Sequence, residues 1–227
     1  MGKKIKNSSK TTSVRDIVET LEKEIVQGYL KPNERMVETE ISKRFSVSRT
    51  PIREAMRILE SNGYITFAPH RGWKVKEVSI DEVKEAYVVR AHLASLSTEL
   101  GCQNLNDKDL NLLEKIVKDM KLAVRSANVA EYFTLNIKFH DIIETAGGNG
   151  TLSRIMESLD KMTYRYRFLS LSLHGRLTQS LEEHAKIMEA LKKKDHEAAA
   201  QIAKESALNS GKLLMKYFLN HSSAVRL

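Results

Sequence analysis

The chain has 227 residues, 41% hydrophobic and 29% charged, a composition that excludes a disordered polypeptide. Its formal net charge is +8, and a single cysteine, Cys102, excludes an intrachain disulfide and points to a reducing compartment. No apolar run approaches the roughly 20 residues of a membrane-spanning helix. The basic start at residues 1–10 is followed by no apolar stretch, so it does not read as a secretory signal. The expectation is a cytoplasmic protein without a membrane partner. Only 3 Pro and 10 Gly interrupt the chain, which favours helices.

The charge is unevenly spread. Residues 1–78 hold 16 Lys/Arg against 10 Asp/Glu, a net of +6, which leaves a net of +2 for residues 79–227. A basic first third beside a near-neutral remainder suggests one part for a polyanion and another for a different task. Four of the six excess charges are Lys3, Lys4, Lys6 and Lys10, which also read as a solvated tail. The expected division is a basic tail (1–12), a first domain (13–78) and a helical second domain (79–227).

In the first domain, Val14, Ile17, Val18, Leu21 and Ile25 recur at helical spacing behind an N-cap at Ser13, and Gly28 with Pro32 ends the helix. A short helix over residues 39–45 turns Ile41 and Phe45 inward. After the tight connection at Ser46-Val47-Ser48 comes a third helix, with Thr50 as cap, Pro51 at the first helical position and Ile52, Ala55, Met56 and Leu59 on its inner face. Asn62-Gly63 ends it. Two short strands, over 64–67 and 73–76, flank His70-Arg71-Gly72. The order of helix, short helix, turn, helix and hairpin is that of a winged helix-turn-helix.

The chemistry sits at the start of the third helix. Arg49 and Arg53 face outward, where a guanidinium can give two parallel hydrogen bonds to a guanine edge in the major groove. Ser48 and Thr50 can donate to phosphate, and the helix N-terminus favours an anion. His70 and Arg71 at the hairpin tip, with Gly72 permitting close backbone approach, reach for an adjacent groove. The competing reading is an exposed helix whose arginines pair with Glu54 and Glu60.

The run from Val47 to Ala55, followed by Leu59-Glu60, Gly63 and Arg71-Gly72, resembles the GntR family of bacterial transcriptional regulators. Upstream, Ile25, Gly28, Leu30, Pro32 and Arg35 fit the same pattern. The resemblance implies operator contacts from Arg49, Thr50, Arg53 and the wing at His70 to Gly72, with Ser48 beside them. Thr39 stands where many relatives carry a base-contacting arginine.

From Ser79 on, the pattern is helical throughout. Ser79 and Glu82 form a capping box for a helix to about residue 100. Further helices are expected over 107–126, 129–145, 152–173, 175–194 and 196–220, with breaks at Gly101, Ala127-Asn128, Gly147 to Gly150, His174-Gly175 and Asp195. Six helices with short loops make an antiparallel bundle, and the fold class is mainly α. Asn136 and His140, at i and i+4, share a helical face.

Arg90, the run Asn136 to His140, Glu183-His184, Ala190 and Asp195 resemble the ligand domain (FCD) of the FadR branch, in its six-helix VanR-like variant. The resemblance implies an effector site at Arg90, Asn136, His140, His184 and Ser206. Many relatives hold a divalent metal there with one Asp and three His. Here Asn136 replaces the Asp and Ser206 the last His, so Asn136, His140 and His184 are a degenerate set for zinc, nickel or manganese. Ala94 stands where relatives often have a Glu, which leaves Arg90 without that partner and free for a small anionic metabolite, a carboxylate.

The expected function is a ligand-responsive regulator, a repressor in the commoner family pattern, binding a palindromic double-stranded operator as a homodimer. The apolar residues Leu213, Leu214, Tyr217 and Phe218 of the last helix are dimer surface or core. Two other classes compete. One is an architectural, ligand-independent DNA-binding protein. The other is a metal-dependent enzyme, against which stand the missing His-Glu-x-x-His, phosphate loop and nucleophile elbow.

Overall fold

The computed structural model describes residues 12–77 and 79–221. The basic tail, but for Thr12, lies outside the described residues. The chain divides after Glu77 into two compact units.

The first unit runs α1 (Val14–Val26), β1 (Arg35–Met36), α2 (Glu38–Phe45), α3 (Arg49–Ser61), β2 (Ile65–Ala68) and β3 (Gly72–Val75). At the start of α1, the Ser13 hydroxyl accepts from the Asp16 amide while the Asp16 carboxylate accepts from the Ser13 amide, so two otherwise unpaired donors are satisfied. Ile17, Val18, Leu21 and Ile25 are buried. Ser46 takes the left-handed conformation after α2 and makes the tight turn into α3.

Here the structure corrects the expected cap. Ser48 occupies the N-cap position without a side-chain bond, Thr50 lies inside the helix and Pro51 is its third residue. A proline is tolerated there because first-turn amides have no intrahelical acceptor. Ile52, Ala55, Met56 and Leu59 are fully buried and close the unit against α1. The hairpin pairs Ile65 with Val75 through Ala68 with Gly72. The two-residue β1, not expected from sequence, adds to the other side of β3, placing Arg35 opposite Lys74 and Met36 opposite Trp73.

The second unit is an antiparallel bundle of α4 (Ile80–Asn104), α5 (Asp107–Arg125), α6 (Val129–Gly147), α7 (Gly150–Ser172), α8 (Arg176–Lys192) and α9 (His196–His221). The Ser79 hydroxyl accepts from the Glu82 amide at 3.3 Å and starts α4. Its end is a second correction: α4 continues through Gly101 to Asn104. Gly101 is a packing residue, since a Cβ there would lie 2.3 Å from the Ile143 carbonyl oxygen on α6.

Helix α4 lies along both α6 and α9. Leu113, Met120, Tyr132, Phe139, Ile143, Ile187, Leu191 and Ala199 form the main core. A second cluster joins Val83, Tyr87, Tyr166 and Leu214, with Phe218 packed on it, so these two residues of the last helix belong to the core and not to a free surface. Among the described residues, no helix is long and apolar enough to cross a membrane.

Candidate functional site

On the first unit, Ser48, Arg49, Thr50 and Arg53 are exposed around the first turns of α3, and Thr39 is half-buried on α2. Arg53 pairs with neither Glu54 nor Glu60. Its Nε donates to Glu38 Oε2 at 2.8 Å, while the indole N–H of buried Trp73 donates to Glu38 Oε1 at 3.3 Å. Glu38 therefore joins the recognition helix to the wing strand. Because the contact uses Nε, both Nη groups of Arg53 remain for another partner. Glu60 instead accepts from the Phe67 amide at 3.1 Å.

At the wing tip, His70 and Gly72 have φ of +63° and +74°. Such a left-handed backbone suits glycine and is tolerated by few other residues. Arg35 Nη2 donates to the Arg71 carbonyl at 3.1 Å and secures the tip, leaving the His70 and Arg71 side chains exposed.

The second unit holds a partly open cavity of about 80 Å³. It is lined by all five expected effector residues, Arg90, Asn136, His140, His184 and Ser206. Its other charged lining residues, none of them singled out by sequence reading, are Asp141, Glu144, Asp160, Arg167 and Arg176. Arg90, Arg167 and Arg176 are 8%, 8% and 3% exposed. The partner that Ala94 cannot supply to Arg90 comes from α7. Asp160 Oδ1 lies 3.2 Å from Arg90 Nη1, and Asp160 Oδ2 lies 2.9 Å from Arg167 Nη1.

Arg176 opens α8, where a cation faces the positive end of the helix dipole. It is held there by Glu183 and Ser210, each 2.8 Å from Nη2. Ser206 donates to the same Glu183 oxygen, Oε2. A basic residue at a helix start, against the dipole, was the available sequence signal for Arg176. No comparable signal marked Asp160 or Arg167.

A chain of hydrogen bonds with one polarity crosses the cavity. Arg167 can only donate, so Asn136 turns Oδ1 to it at 3.3 Å. The Asn136 amide then donates to His184 Nε2 at 3.1 Å, and His184 Nδ1–H donates to the Ser180 carbonyl at 2.7 Å. Burial pushes His184 down to about 4, with Arg176 and Arg167 adding to the shift against the Ser180 bond. Burial, then His184, hold His140 well below its ordinary value. Both imidazoles are neutral at neutral pH. At the cavity rim, burial raises the carboxyls of Asp141 and Glu144.

This arrangement does not fit a divalent metal. The His184 lone pair accepts an amide proton, and the Asn136 oxygen faces a guanidinium. An ion ligated by that oxygen would sit within about 5 Å of the Arg167 charge, a repulsion of about 7 kcal/mol at an effective dielectric of 20. Among the described residues, no group of three or more His, Cys, Asp or Glu could hold a metal ion. The degenerate metal set of the sequence reading is thus better described as a polar relay centred on Arg167.

The depressed imidazoles give a testable pH dependence. Below about pH 6.5 the unfolded chain takes up protons that folded His184 refuses, so unfolding free energy falls from there down to about pH 4. The shift corresponds to about 3 kcal/mol for His184 at most. Thermal unfolding between pH 7.5 and 4.5 reads this slope. His184→Gln is expected to flatten it, and an unchanged slope in that variant excludes His184 as its source.

A winged helix-turn-helix with arginines on its recognition helix, in one chain with a helical bundle around a charged cavity, defines a DNA-binding regulator with an effector domain. The chain belongs to the GntR family of bacterial regulatory proteins: residues 13–75 match that family and residues 85–207 match the FCD domain. It is 35% identical over 182 residues to the HTH-type transcriptional regulator YdhC of Bacillus subtilis, covering 80% of this chain and 81% of that protein. It is 26% identical over 184 residues to the HTH-type transcriptional repressor RspR of Escherichia coli, covering 81% of each. Its fold is similar to that of E. coli McbR/YncC, with a TM-score of 0.77 at 22% identity over 90% of this chain and 98% of that one. The chain is a transcriptional regulator of this family with an FCD effector domain.

Proposed function

We propose that the protein represses transcription by binding a palindromic operator as a homodimer, and that a small anionic metabolite in the cavity of the second unit modulates this binding. The observation that carries the reading is the presence of buried guanidinium groups with unused donors, Arg176 Nε and Nη1, beside a cavity in a chain that also carries an exposed recognition helix. A buried donor without an acceptor is costly, and an anionic ligand removes that cost. The name of RspR as a repressor supports the sign of regulation. For the dimer, the exposed apolar residues Val88, Val89, Leu96, Ile155 and Met162 on α4 and α7 offer a face that a second copy would cover. In the DNA-binding unit, Arg49 and Arg53 read bases, Ser48 and Thr50 meet phosphates, Thr39 lies beside them, and His70, Arg71 and Gly72 enter the neighbouring groove.

Selection from random duplex DNA tests this reading. The expected product is an inverted repeat bound by two chains, which an architectural protein would not select. On that operator, Arg49→Ala should lose about 1–3 kcal/mol of base discrimination, with a smaller loss on random DNA. Glu38→Ala should behave differently. It removes a negative charge near the DNA face and releases Arg53, so affinity for random DNA rises while base preference at the Arg53 position falls. Selection of unrelated sequences without an inverted repeat overturns the operator reading, and equal losses on operator and random DNA overturn the role of Arg49.

A further inference from the structure

We propose that Trp73, on the wing, is a specificity-determining positioning residue for DNA recognition: through Glu38 it holds Arg53, so that the wing and the recognition helix read a site as one unit. The inference rests on the operator reading above and extends it to a residue that itself touches no base.

The placement begins in the backbone. Met36 on β1 stands opposite Trp73 on β3, and Glu38, two residues further on, is the first residue of α2. The strand pairing therefore sets where α2 starts and where the Glu38 side chain is rooted. The indole of Trp73 fixes the far end of that side chain, since its Nε1–H donates to Glu38 Oε1 at 3.3 Å. The other oxygen, Oε2, accepts from Arg53 Nε at 2.8 Å. Trp73 also packs on Phe67 of β2, with ring centroids 4.9 Å apart. The neighbouring Arg35 of β1 holds the Arg71 carbonyl at 3.1 Å. Wing tip, wing strands, α2 and α3 are thus joined in one network.

The chemistry of the bridge is selective. Both partners of Glu38 are donors, an indole N–H and a guanidinium N–H, so the group between them must accept on two atoms and donate on neither. A carboxylate does this. A glutamine of the same shape would turn an amide N–H toward one of the two donors. An acid in the first turn of a helix also suits the helix dipole, but that role requires no indole partner.

The bridge contributes little to stability, because the Arg53 side chain is 61% exposed and water screens an exposed pair. Its effect falls on the freedom of Arg53. An unheld arginine has several rotatable bonds that must be ordered when it meets a base. With Nε fixed, the guanidinium plane is confined, and Nη1 and Nη2 form the fork that a guanine edge accepts. Ordering before binding favours one base in one register, whereas a phosphate accepts many arginine orientations. Loss of the indole N–H should therefore lower base discrimination at one position and leave general affinity nearly unchanged.

The test uses the full-length protein and the operator obtained by selection. The chain has a single tryptophan, so an isotope-labelled sample gives one indole N–H resonance. That resonance should shift on operator binding and on Arg53→Ala, and stay in place on Arg49→Ala. Affinities are then measured for the operator and its single-base variants. Trp73→Phe and Glu38→Gln should each lower discrimination about 3- to 10-fold at the position that Arg53→Ala flattens, a part of the roughly 5- to 150-fold that a good arginine–guanine pair supplies. Discrimination at the Arg49 position should not change. Combining either substitution with Arg53→Ala should add no further loss. Melting temperatures accompany each variant, and Glu38→Gln leaves the Trp73 ring in place, so it decides the matter where Trp73→Phe fails to fold.

A uniform loss at every position reduces Trp73 to a structural role and overturns the proposal, as does full discrimination in the folded variants. Further loss on top of Arg53→Ala, or an indole resonance that Arg53→Ala leaves unmoved, overturns the route through Glu38. An Arg53→Ala protein that flattens no position overturns the proposal while the operator reading stands on its inverted repeat. Selection without an inverted repeat overturns the operator reading itself.

Discussion

Asp160→Ala is expected to destabilise the helical unit by about 3–5 kcal/mol, the range for removing one partner from a buried charge network. The carboxylate is shared by Arg90 at 3.2 Å and Arg167 at 2.9 Å, whose side chains are 9% and 8% exposed. Without it, the two guanidiniums lose the carboxylate that bridges them and keep only the weaker influence of Glu144 and Asp141, and neither can shed its proton at neutral pH. Arg90 already sits below its ordinary value, first through burial and then through repulsion by Arg167. The Asp160 side chain itself is 30% exposed, so water can enter after its removal, and the lower half of the range is the better expectation. Urea unfolding followed by circular dichroism measures the loss. Asp160→Asn should fall between wild type and the alanine variant. Added sulfate should restore the alanine variant more than it stabilises wild type, because an anion can take the vacated place. A loss below about 1 kcal/mol would mean that the ion pairs contribute little to the fold.

Gly101→Ala opposes two effects whose magnitudes decide the sign. In an exposed helix interior the change stabilises by about 1 kcal/mol. Here the new Cβ would meet the Ile143 carbonyl oxygen at 2.3 Å and its Cγ2 at 2.5 Å. Overpacking typically costs about 1–3 kcal/mol, and this contact belongs at the upper end because a backbone oxygen cannot rotate away. The expected net effect is a loss of about 2 kcal/mol or more, with α4 and α6 forced apart. Gly150→Ala at the start of α7 is the control, since no atom lies within 4 Å of its Cβ position and its φ is not positive. The two melting temperatures should move in different directions or by clearly different amounts. A Gly101→Ala protein as stable as wild type would show that the two helices can separate at little cost.

These two residues show where sequence reading stops. Gly101 was expected to break a helix because glycine is a poor helix former, yet the tertiary approach of α6 overrides that tendency. Asp160 and Arg167 lie on a helix where charges usually face solvent, and nothing within four residues marks them as buried. The missing β1 has a related cause, since two residues carry no period and Arg35 and Met36 become a strand only by pairing with β3. The expectation that Thr50 caps α3 failed by two residues, within the usual uncertainty of helix ends.

What the sequence determined by itself is what neighbours along the chain decide. The N-cap at Ser13, the inner faces of α1 and α3, the hairpin and the six helices of the second unit follow from residues within about four positions of each other. A local run, Val47 to Ala55, likewise carries the family resemblance. Only the tertiary structure decided which charges meet. It brought Asp160 to Arg90 and Arg167, turned Asn136 toward Arg167 so that His184 Nε2 is occupied, and set Gly101 against Ile143. The physical reason is that burial and hydrogen-bond geometry are properties of pairs. An Asn beside two His reads as a weakened metal site until the residue facing its oxygen is known, and that residue, 31 positions away, is an arginine.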